Sequence, residues 1–220
     1  MNNITAIIPA RSLDPILKNK NILPFGKSNL LTHKIRQLKQ VDVIDEIIVS
    51  SDSNEYLNLA KLEGVKTNLR PEEFSNLTNP FGDFVSYITS EIETKHILWA
   101  SPTSPMIDEN DFKSAINKYF EIINNGYDSL ITVTKLKRHL LDENGPLNFR
   151  FTESQRNNQD LPTMYEFTNG IVIAPKEYIL KWKYNWGKMP YKYQIDSLKS
   201  IDICDSIDYD FARHIQSLKI

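Results

Sequence analysis

The stretch AIIPARSLDPILKNKNI, residues 6–22, joins an apolar run to a loop that is rich in positive charge. Its apolar run ends at Pro9, and the loop that follows contains Arg11, Lys18, Lys20 and Asn21. A short continuous apolar run is typical of a buried strand, and the loop after such a strand in a parallel sheet lies at the edge that binds ligands. We therefore interpret the three cations as contacts for an anionic ligand, with a solvated basic turn as the alternative.

The rest of the chain repeats this strand signal and separates the strands with amphipathic segments. Short runs rich in Ile and Val predict five strands, at residues 4–9, 45–51, 95–100, 129–134 and 170–174. Amphipathic segments predict five helices, at residues 30–38, 54–63, 83–92, 108–123 and 207–218. This alternation predicts an α/β fold of three layers, in which helices cover both faces of a mostly parallel, twisted sheet.

Length, charge and cysteine content bound the class of protein. The 220 residues are 40% hydrophobic, which favours a single domain spanning residues 1–220. A net charge of −2 gives no overall field that would attract nucleic acid or an anionic membrane surface. The sequence has neither a signal peptide pattern nor the roughly 20 apolar residues of a membrane span. Because Cys204 is the only cysteine, we expect no intrachain disulfide and a soluble protein of the reducing cytoplasm.

Residues 135–161 interrupt the alternation with a polar segment. It contains the turn signal Glu143-Asn144-Gly145-Pro146 and one brief run, residues 147–152, that predicts a strand. A long polar excursion in a compact domain usually serves a site or a partner, so we predict a hairpin that joins two subunits of a homodimer. The alternative is a mobile surface loop.

The loop after the first strand is not one of the common phosphate-binding loops. The sequence contains neither G-x-G-x-x-G nor G-x-x-x-x-G-K-[ST], which excludes a dinucleotide-binding fingerprint and a Walker A loop. If the loop binds phosphate, it does so through its cations and backbone amides in another arrangement.

A series of short motifs, in order and over nearly the whole chain, resembles the acylneuraminate cytidylyltransferases, the family of the CMP-sialic acid synthetases. The motifs are IIPAR (7–11), KN (20–21), IIVSSD (47–52), LRP (69–71), PTSP (102–105), QDLP (159–162), NG (169–170) and SIDI (200–203). The resemblance implies an α/β enzyme, usually dimeric through an excursion like 135–161. It also implies transfer of CMP from CTP to a sugar acid, with magnesium as cofactor and release of pyrophosphate.

The resemblance assigns roles to individual residues. Six would contact the nucleotide: Ala10, Arg11, Lys20, Asn21, Ser51 and Arg70. Catalysis would depend on Arg11, Lys20 and Asp202, of which Asp202 would bind the metal. Candidate contacts for the acceptor offer hydroxyl, amide and carboxylate groups, and they are Ser101, Thr103, Gln159, Tyr165, Glu166 and Asn169. A turn between prolines is the alternative for Thr103, and core packing is the alternative for Tyr165.

The metal-binding pattern departs from that of the family. The family has D-x-D near the C-terminus, whereas this chain has Asp202 and Cys204. Magnesium prefers oxygen ligands, so either Asp202 acts alone with water and phosphate, or Asp205 supplies the second carboxylate. Asp208 and Asp210 are predicted to cap the final helix.

The acceptor side departs from the family at more positions. Asp14-Pro15 replaces a usual Ser-Lys in the first loop, Ser101 replaces a glutamine, and Ile107 replaces an arginine. Glu166 stands near the place of an arginine that meets the acceptor's carboxylate. A carboxylate acceptor would be repelled by Glu166, so the acceptor need not be an ordinary sialic acid.

Three functions are therefore open. The first is a cytidylyltransferase that activates a nonulosonic acid such as a sialic-type acid for surface polysaccharides. The second is a cytidylyltransferase for a phosphorylated small molecule. The third is a catalytically inactive protein that binds CTP.

Overall fold

The computed structural model describes residues 3–76, 78–150 and 157–218, and its centre is a seven-stranded sheet. In chain order the sheet strands are β1 (Ile4–Pro9), β4 (Glu46–Ser51), β5 (Lys66–Leu69), β6 (His96–Ala100), β7 (Ser129–Leu136), β10 (Met164–Pro175) and β11 (Pro190–Gln194). Two hairpins pair β2 (Pro24–Phe25) with β3 (Ser28–Asn29), and β8 (Leu141–Asp142) with β9 (Gly145–Pro146). The helices are α1 (Leu30–Lys39), α2 (Asn54–Leu62), α3 (Phe81–Ser90), α4 (Glu109–Ile122), α5 (Lys176–Trp182) and α6 (Ser206–Ser217). None of the helices in these ranges is long and apolar enough to cross a membrane.

The sheet is mostly parallel, as the sequence predicts. Its strand order is β11-β7-β10-β6-β1-β4-β5, and β10 runs antiparallel to both of its neighbours. Within β10, Ile171 pairs with Ala100, the last residue of β6. Because β10 is reversed, the residues before Ile171 lie at the same edge as the loops that follow β1 and β6.

Side chains on the two faces of β1 pack into different clusters, which produces the three layers. Ile8 belongs to a cluster with Leu31 of α1 and Phe112 of α4. Ile7 belongs to a second cluster with Val85 of α3 and the buried side chain of α5 at Ile179. Successive residues of a strand point to opposite faces, so helices cover both sides of the sheet. This confirms the predicted α/β architecture.

All five predicted strands and all five predicted helices are present. Their ends differ from the predicted ones by at most two residues, except that β10 begins at Met164 and not at residue 170. The prediction missed β5, β11 and α5. The two strands lie at the edges of the sheet, where a half-exposed sequence such as KTNL carries no continuous apolar run. The helix has only seven residues, too few for a periodic signal.

The excursion contains a hairpin, but it differs from the predicted one. The turn signal at 143–146 lies in the β8–β9 hairpin, where Gly145 adopts a positive φ of 126°. The strand predicted at 147–152 is wrong for residues 147–150, which have no strand structure. Residues 151 and 152 lie outside the described residues. The role of the excursion in a dimer stays a prediction.

Candidate functional site

A cavity of about 450 Å³ opens at the carboxyl ends of β1 and β6, beside the first half of β10. Residues from widely separated segments of the chain line it. Seven of them are predicted contacts for nucleotide or acceptor: Arg11, Lys20, Asn21, Arg70, Ser101, Thr103 and Asn169. The sheet topology therefore gathers half of the predicted site residues in one place.

Hydrogen bonds fix the loop that follows β1. The side-chain amide of Asn21 donates to the carbonyl of Arg11 at 2.9 Å. The backbone N–H and the hydroxyl of Ser12 both donate to the carboxylate of Asp52, at 2.8 and 2.5 Å. These bonds hold the backbone of Arg11 from both sides, so its side chain starts from a defined position at the cavity.

The three cations of this loop are not equivalent. Arg11 and Lys20 line the cavity, whereas Lys18 is exposed and is not among its lining residues. The difference arises at Asn19, which adopts a left-handed conformation with φ 54° and precedes the short 3-10 helix Lys20–Ile22. Asparagine tolerates this conformation better than most residues.

Lys20 is paired with an acid that the sequence analysis did not include in the site. Its Nζ lies 2.8 Å from Asp14 Oδ2, and Asp14 also lines the cavity. The other oxygen of Asp14 accepts the backbone N–H groups of Ile16 and Leu17. Burial alone would raise the pKa of Asp14, but these hydrogen bonds and the Lys20 charge hold it below its usual value. The carboxylate is therefore charged and reduces the net positive charge at this part of the cavity.

Arg70 lines the cavity with a buried, positively charged side chain. Its guanidinium lies over the Phe84 ring, 3.8 Å from the centroid, and donates to the Ser50 carbonyl at 2.9 Å. Burial lowers the pKa of Arg70 to about 10, so the side chain is still charged at neutral pH. The stacked geometry leaves little rotational freedom, which suits a group that recognises a planar or anionic ligand.

The segment after Arg70 supplies a further part of the lining that sequence reasoning missed. It combines aromatic rings with two amide side chains, and the residues are Phe74, Asn76, Asn79, Pro80, Phe81 and Phe84. Recognition of β5 would have placed this segment after a strand at the ligand edge. Because the edge strand carries no apolar run, that signal was absent.

A chain of hydroxyl groups connects the cavity to Asp202. The hydroxyls of Ser101 and Thr103 lie 2.7 Å apart, and Thr103 donates to Asp202 Oδ1. The backbone N–H of Ile203 donates to the Thr103 carbonyl at 2.8 Å. The PTSP loop and the SIDI segment, about 100 residues apart in sequence, are thus joined by both side-chain and backbone bonds.

Backbone conformation and close packing explain the Asn-Gly pair at the start of the buried part of β10. Asn169 adopts a left-handed conformation with φ 53°, and its side chain lies close enough to Asp202 to lower the pKa of that carboxyl. A Cβ at Gly170 would lie 2.0 Å from Ile107 Cδ1, so only glycine fits there without rearrangement. Ile107, which stands where the resembled family has an arginine, is fully buried and gives the cavity no charge.

Asp202 has the surroundings of a carboxylate that could hold a hard cation. Burial raises its pKa above the usual value, although bonds from Thr103 and Asn169 and the charge of Lys20 act in the opposite direction. Its oxygen-rich neighbours fit magnesium, which is often bound by one or two carboxylates together with substrate phosphates. Among the described residues, no three His, Cys, Asp or Glu side chains form a metal-binding group.

The acidic residues that follow Asp202 form hydrogen bonds at the start of α6. Asp205 is the N-cap of this helix: its Oδ1 accepts the backbone N–H groups of Ile207 and Asp208. Asp208 takes part in the cap, as predicted, because it occupies the third helical position and completes a capping box with Asp205. Asp210 lies further inside the helix, so its predicted capping role is wrong. The metal role of Asp205 stays a prediction. Burial and nearby carboxylates raise the pKa of the Cys204 thiol, so it is uncharged at neutral pH.

Several predicted contacts lie elsewhere. Ala10 and Ser51 are fully buried beneath the loops and are not part of the described lining. Gln159 lies in an exposed 3-10 turn, and Tyr165 and Glu166 lie on the exposed half of β10, likewise outside the described lining. The repulsion expected between Glu166 and an acidic acceptor therefore does not arise within this cavity.

Comparisons with known proteins identify relatives of the whole chain. A family model described as cytidylyltransferase matches residues 5–219. The N-acylneuraminate cytidylyltransferase of Escherichia coli is 30% identical over 98% of this chain and 52% of its own length. A bifunctional pseudaminic acid cytidylyltransferase and hydrolase of Helicobacter pylori is 31% identical over 73% of this chain and 32% of its own. The chain thus spans about half the length, or less, of these two relatives.

The fold also has solved counterparts. A structure of CMP:2-keto-3-deoxy-manno-octonic acid synthetase complexed with CTP superposes with a TM-score of 0.73 and covers 99% of this chain and 100% of its own. Only 12% of the residues are identical, so this similarity concerns the fold.

Proposed function

Because the chain belongs to the cytidylyltransferase family, we propose that it transfers CMP from CTP to a nonulosonic acid of the sialic or pseudaminic type and releases pyrophosphate. The observation that carries the proposal is the cavity at the sheet edge. Arg11 and Lys20, from the loop after β1, and Arg70, from the segment after β5, bring three cations to it, beside the hydroxyl groups of Ser101 and Thr103. This arrangement offers charge to a polyphosphate and neutral hydrogen-bonding groups to a polyhydroxylated acceptor.

In the proposed reaction, a hydroxyl oxygen of the acceptor attacks the α-phosphorus, the hydroxyl proton passes to solvent, and the bond to pyrophosphate breaks. Arg11 and Lys20 would hold the triphosphate and stabilise the charge that gathers on the leaving pyrophosphate. The nucleoside would be held by Arg70, by Asn21 and by the aromatic side chains that line the cavity near Phe84. Ser101, Thr103 and Asn169 would orient the acceptor.

We also propose magnesium as the cofactor, held by Asp202 together with phosphate oxygens. When bound, the ion supplies charge neutralisation at the phosphates. The tight contact between Thr103 and Asp202 fixes the carboxylate in place. Cys204 contributes no charge, so Asp205 is the nearby candidate for a second carboxylate.

The dimer, the location and the biological role are further parts of the proposal. Exposed apolar side chains, Leu141 and Leu147 in the excursion and Met164 beside it, support an interface there between two copies. A CTP-dependent reaction would take place in the cytoplasm, and its product would be used for a surface polysaccharide.

The first experiment follows pyrophosphate release from CTP and magnesium with a panel of acceptors. The panel contains sialic, legionaminic and pseudaminic acids, Kdo and several small phosphate esters. We expect release with at least one nonulosonic acid and none when UTP replaces CTP. Release with phosphate esters alone would support the second function named above, and CTP binding without any release would support an inactive binding protein.

Replacing Asp14 with asparagine should strengthen CTP binding. The asparagine oxygen can still accept the N–H groups of Ile16 and Leu17, so the loop is preserved while the negative charge beside Lys20 is removed. We expect the dissociation constant to fall about 2- to 5-fold, in keeping with the strength of a single ion pair near the surface. Isothermal titration calorimetry measures it.

The matched control is Asp42→Asn, since Asp42 is an exposed acid paired with Lys113 and lies outside the cavity lining. This variant should bind CTP like the wild type. Weaker CTP binding in Asp14→Asn would mean that Asp14 orients Lys20 for the nucleotide and does not compete with it.

A further inference from the structure

Helix α1 contains a lysine that is completely buried. Lys34 has no exposed surface, and its Nζ donates to the carbonyl of Ser104 at 2.9 Å and to that of Ile107 at 3.4 Å. The ammonium group also lies 4.9 Å from the centre of the Phe112 ring. A buried lysine with backbone carbonyls as partners is uncommon, because an apolar side chain would fill the same space without desolvating a charge.

The neighbours of Lys34 on the same helix hold the same loop. Gln37 Nε2 donates to the Pro105 carbonyl at 3.0 Å, and His33 Nε2 lies 3.2 Å from that oxygen. One face of α1 therefore contacts three carbonyls within residues 104–107. Burial lowers the pKa of His33 to about 4, so this ring is neutral at neutral pH.

The charges around Lys34 only partly compensate for its burial. Asp108 and Asp111, at the start of α4, are the acids that raise its pKa, and both of them are bound by Lys199. Burial is the larger influence and lowers the pKa of Lys34 to about 7. A side chain that costs stability in this way calls for a role other than packing.

The loop that Lys34 holds is the one that lines the cavity. Ser101 and Thr103 precede the bonded carbonyls by a few residues, and Thr103 contacts Asp202. The Thr103 carbonyl in turn accepts the backbone N–H of Ile203 at 2.8 Å. A shift of the loop at 104–107 would thus displace the predicted acceptor contacts and the predicted metal ligand together. Arg11, Lys20 and Arg70 belong to other segments and would stay in place.

We propose that Lys34 is a positioning residue, which fixes the loop 101–107 from inside the core and so aligns the acceptor side of the site with Asp202. The inference rests on the proposed function for its effect on turnover. It names a residue for which the sequence motifs gave no signal, since a lysine in an amphipathic helix normally faces water.

The test compares Lys34→Met with Lys39→Met, a change at an exposed lysine of the same helix. Methionine keeps the volume and removes the donor. With N-acetylneuraminic acid and pseudaminic acid as acceptors, we expect Lys34→Met to lower kcat/KM for the acceptor about 10- to 100-fold, as small misplacements of reacting groups do. The KM for CTP should stay within about twofold, a split that a general loss of structure would not produce. Lys39→Met should match the wild type in both constants.

Amide hydrogen exchange provides a readout that needs no turnover. The N–H of Ile203 should exchange at least about tenfold faster in Lys34→Met than in the wild type, because the Thr103 carbonyl to which it donates is no longer held in place. Unchanged exchange at Ile203, or unchanged kcat/KM for an acceptor that the wild type uses, would overturn the proposal. If neither acceptor is used by the wild type, the proposed function fails for these acceptors, and the exchange measurement still decides the role of Lys34. If Lys34→Met does not fold, Lys34→Gln, which keeps an uncharged NH₂ donor group on a shorter side chain, should show an intermediate loss by both measures. Wild-type values for this variant would overturn the proposal.

Discussion

An Asp202→Asn variant is expected to turn over CTP and acceptor about 10²- to 10³-fold more slowly than the wild type while keeping its fold. The asparagine oxygen can still accept the hydrogen bond from Thr103, so the contact between the PTSP and SIDI segments is preserved. What is lost is the negative charge that we propose for binding magnesium. Initial rates of pyrophosphate release measure the effect on turnover.

Nucleotide binding separates this explanation from a general defect. Without magnesium, Asp202→Asn should bind CTP at least as well as the wild type, because a carboxylate near the phosphates has been removed. With magnesium, the wild type should gain affinity and the variant should gain less. Equal gains in the two proteins would remove Asp202 from the proposed metal site.

Asp205→Asn is the matched control for Asp202→Asn. Asparagine is as good an N-cap as aspartate, so α6 should remain intact while the charge is lost. If Asp205 acts only as the cap, rates should stay within about twofold of the wild type. A loss as large as that of Asp202→Asn would instead give Asp205 a part in binding the ion.

Stability gives a further expectation for Asp202→Asn. Burial raises the pKa of Asp202 in the folded state, so the folded protein binds this proton more tightly than the unfolded chain. Such a carboxyl lowers the free energy of unfolding as the pH rises from its unfolded pKa through its folded pKa. At neutral pH the variant should therefore be at least as stable as the wild type. This is the result expected if the buried charge of Asp202 costs stability and serves the reaction.

The fold could be predicted because its central strands and the helices that cover them have strong periodic signals. β1, β4 and β6 each contain an uninterrupted apolar run, because both faces of these strands are covered. The edge strands β5 and β11 are half exposed and lack such runs, and this explains why they were missed. The reversal of β10 could not be read from its composition, because a buried antiparallel strand and a buried parallel strand have the same apolar sequence.

The candidate site was predicted where a residue directly follows a strand with a strong signal. Arg11 after β1 and Ser101 after β6 both line the cavity. Phe74 and Asn76 were missed because they follow the unrecognised β5. Asp14 was recognised as a departure from the family motif, but its bond to Lys20 depends on a backbone turn that the sequence does not specify.

A Lys20→Met variant should lower kcat/KM for CTP about 10²- to 10³-fold, and Lys18→Met should stay within about twofold of the wild type. Both lysines belong to the same loop, but Lys20 lines the cavity and Lys18 is exposed. The loss at Lys20 has two causes: a phosphate contact disappears, and the Asp14 carboxylate remains in the cavity without its partner.

Adding Asp14→Asn to Lys20→Met should therefore restore part of the affinity for CTP, and a double-mutant cycle on the CTP dissociation constant would measure the coupling. A larger loss in Lys18→Met than in Lys20→Met would contradict the placement of this loop, because the turn at Asn19 would then present the other lysine to the triphosphate.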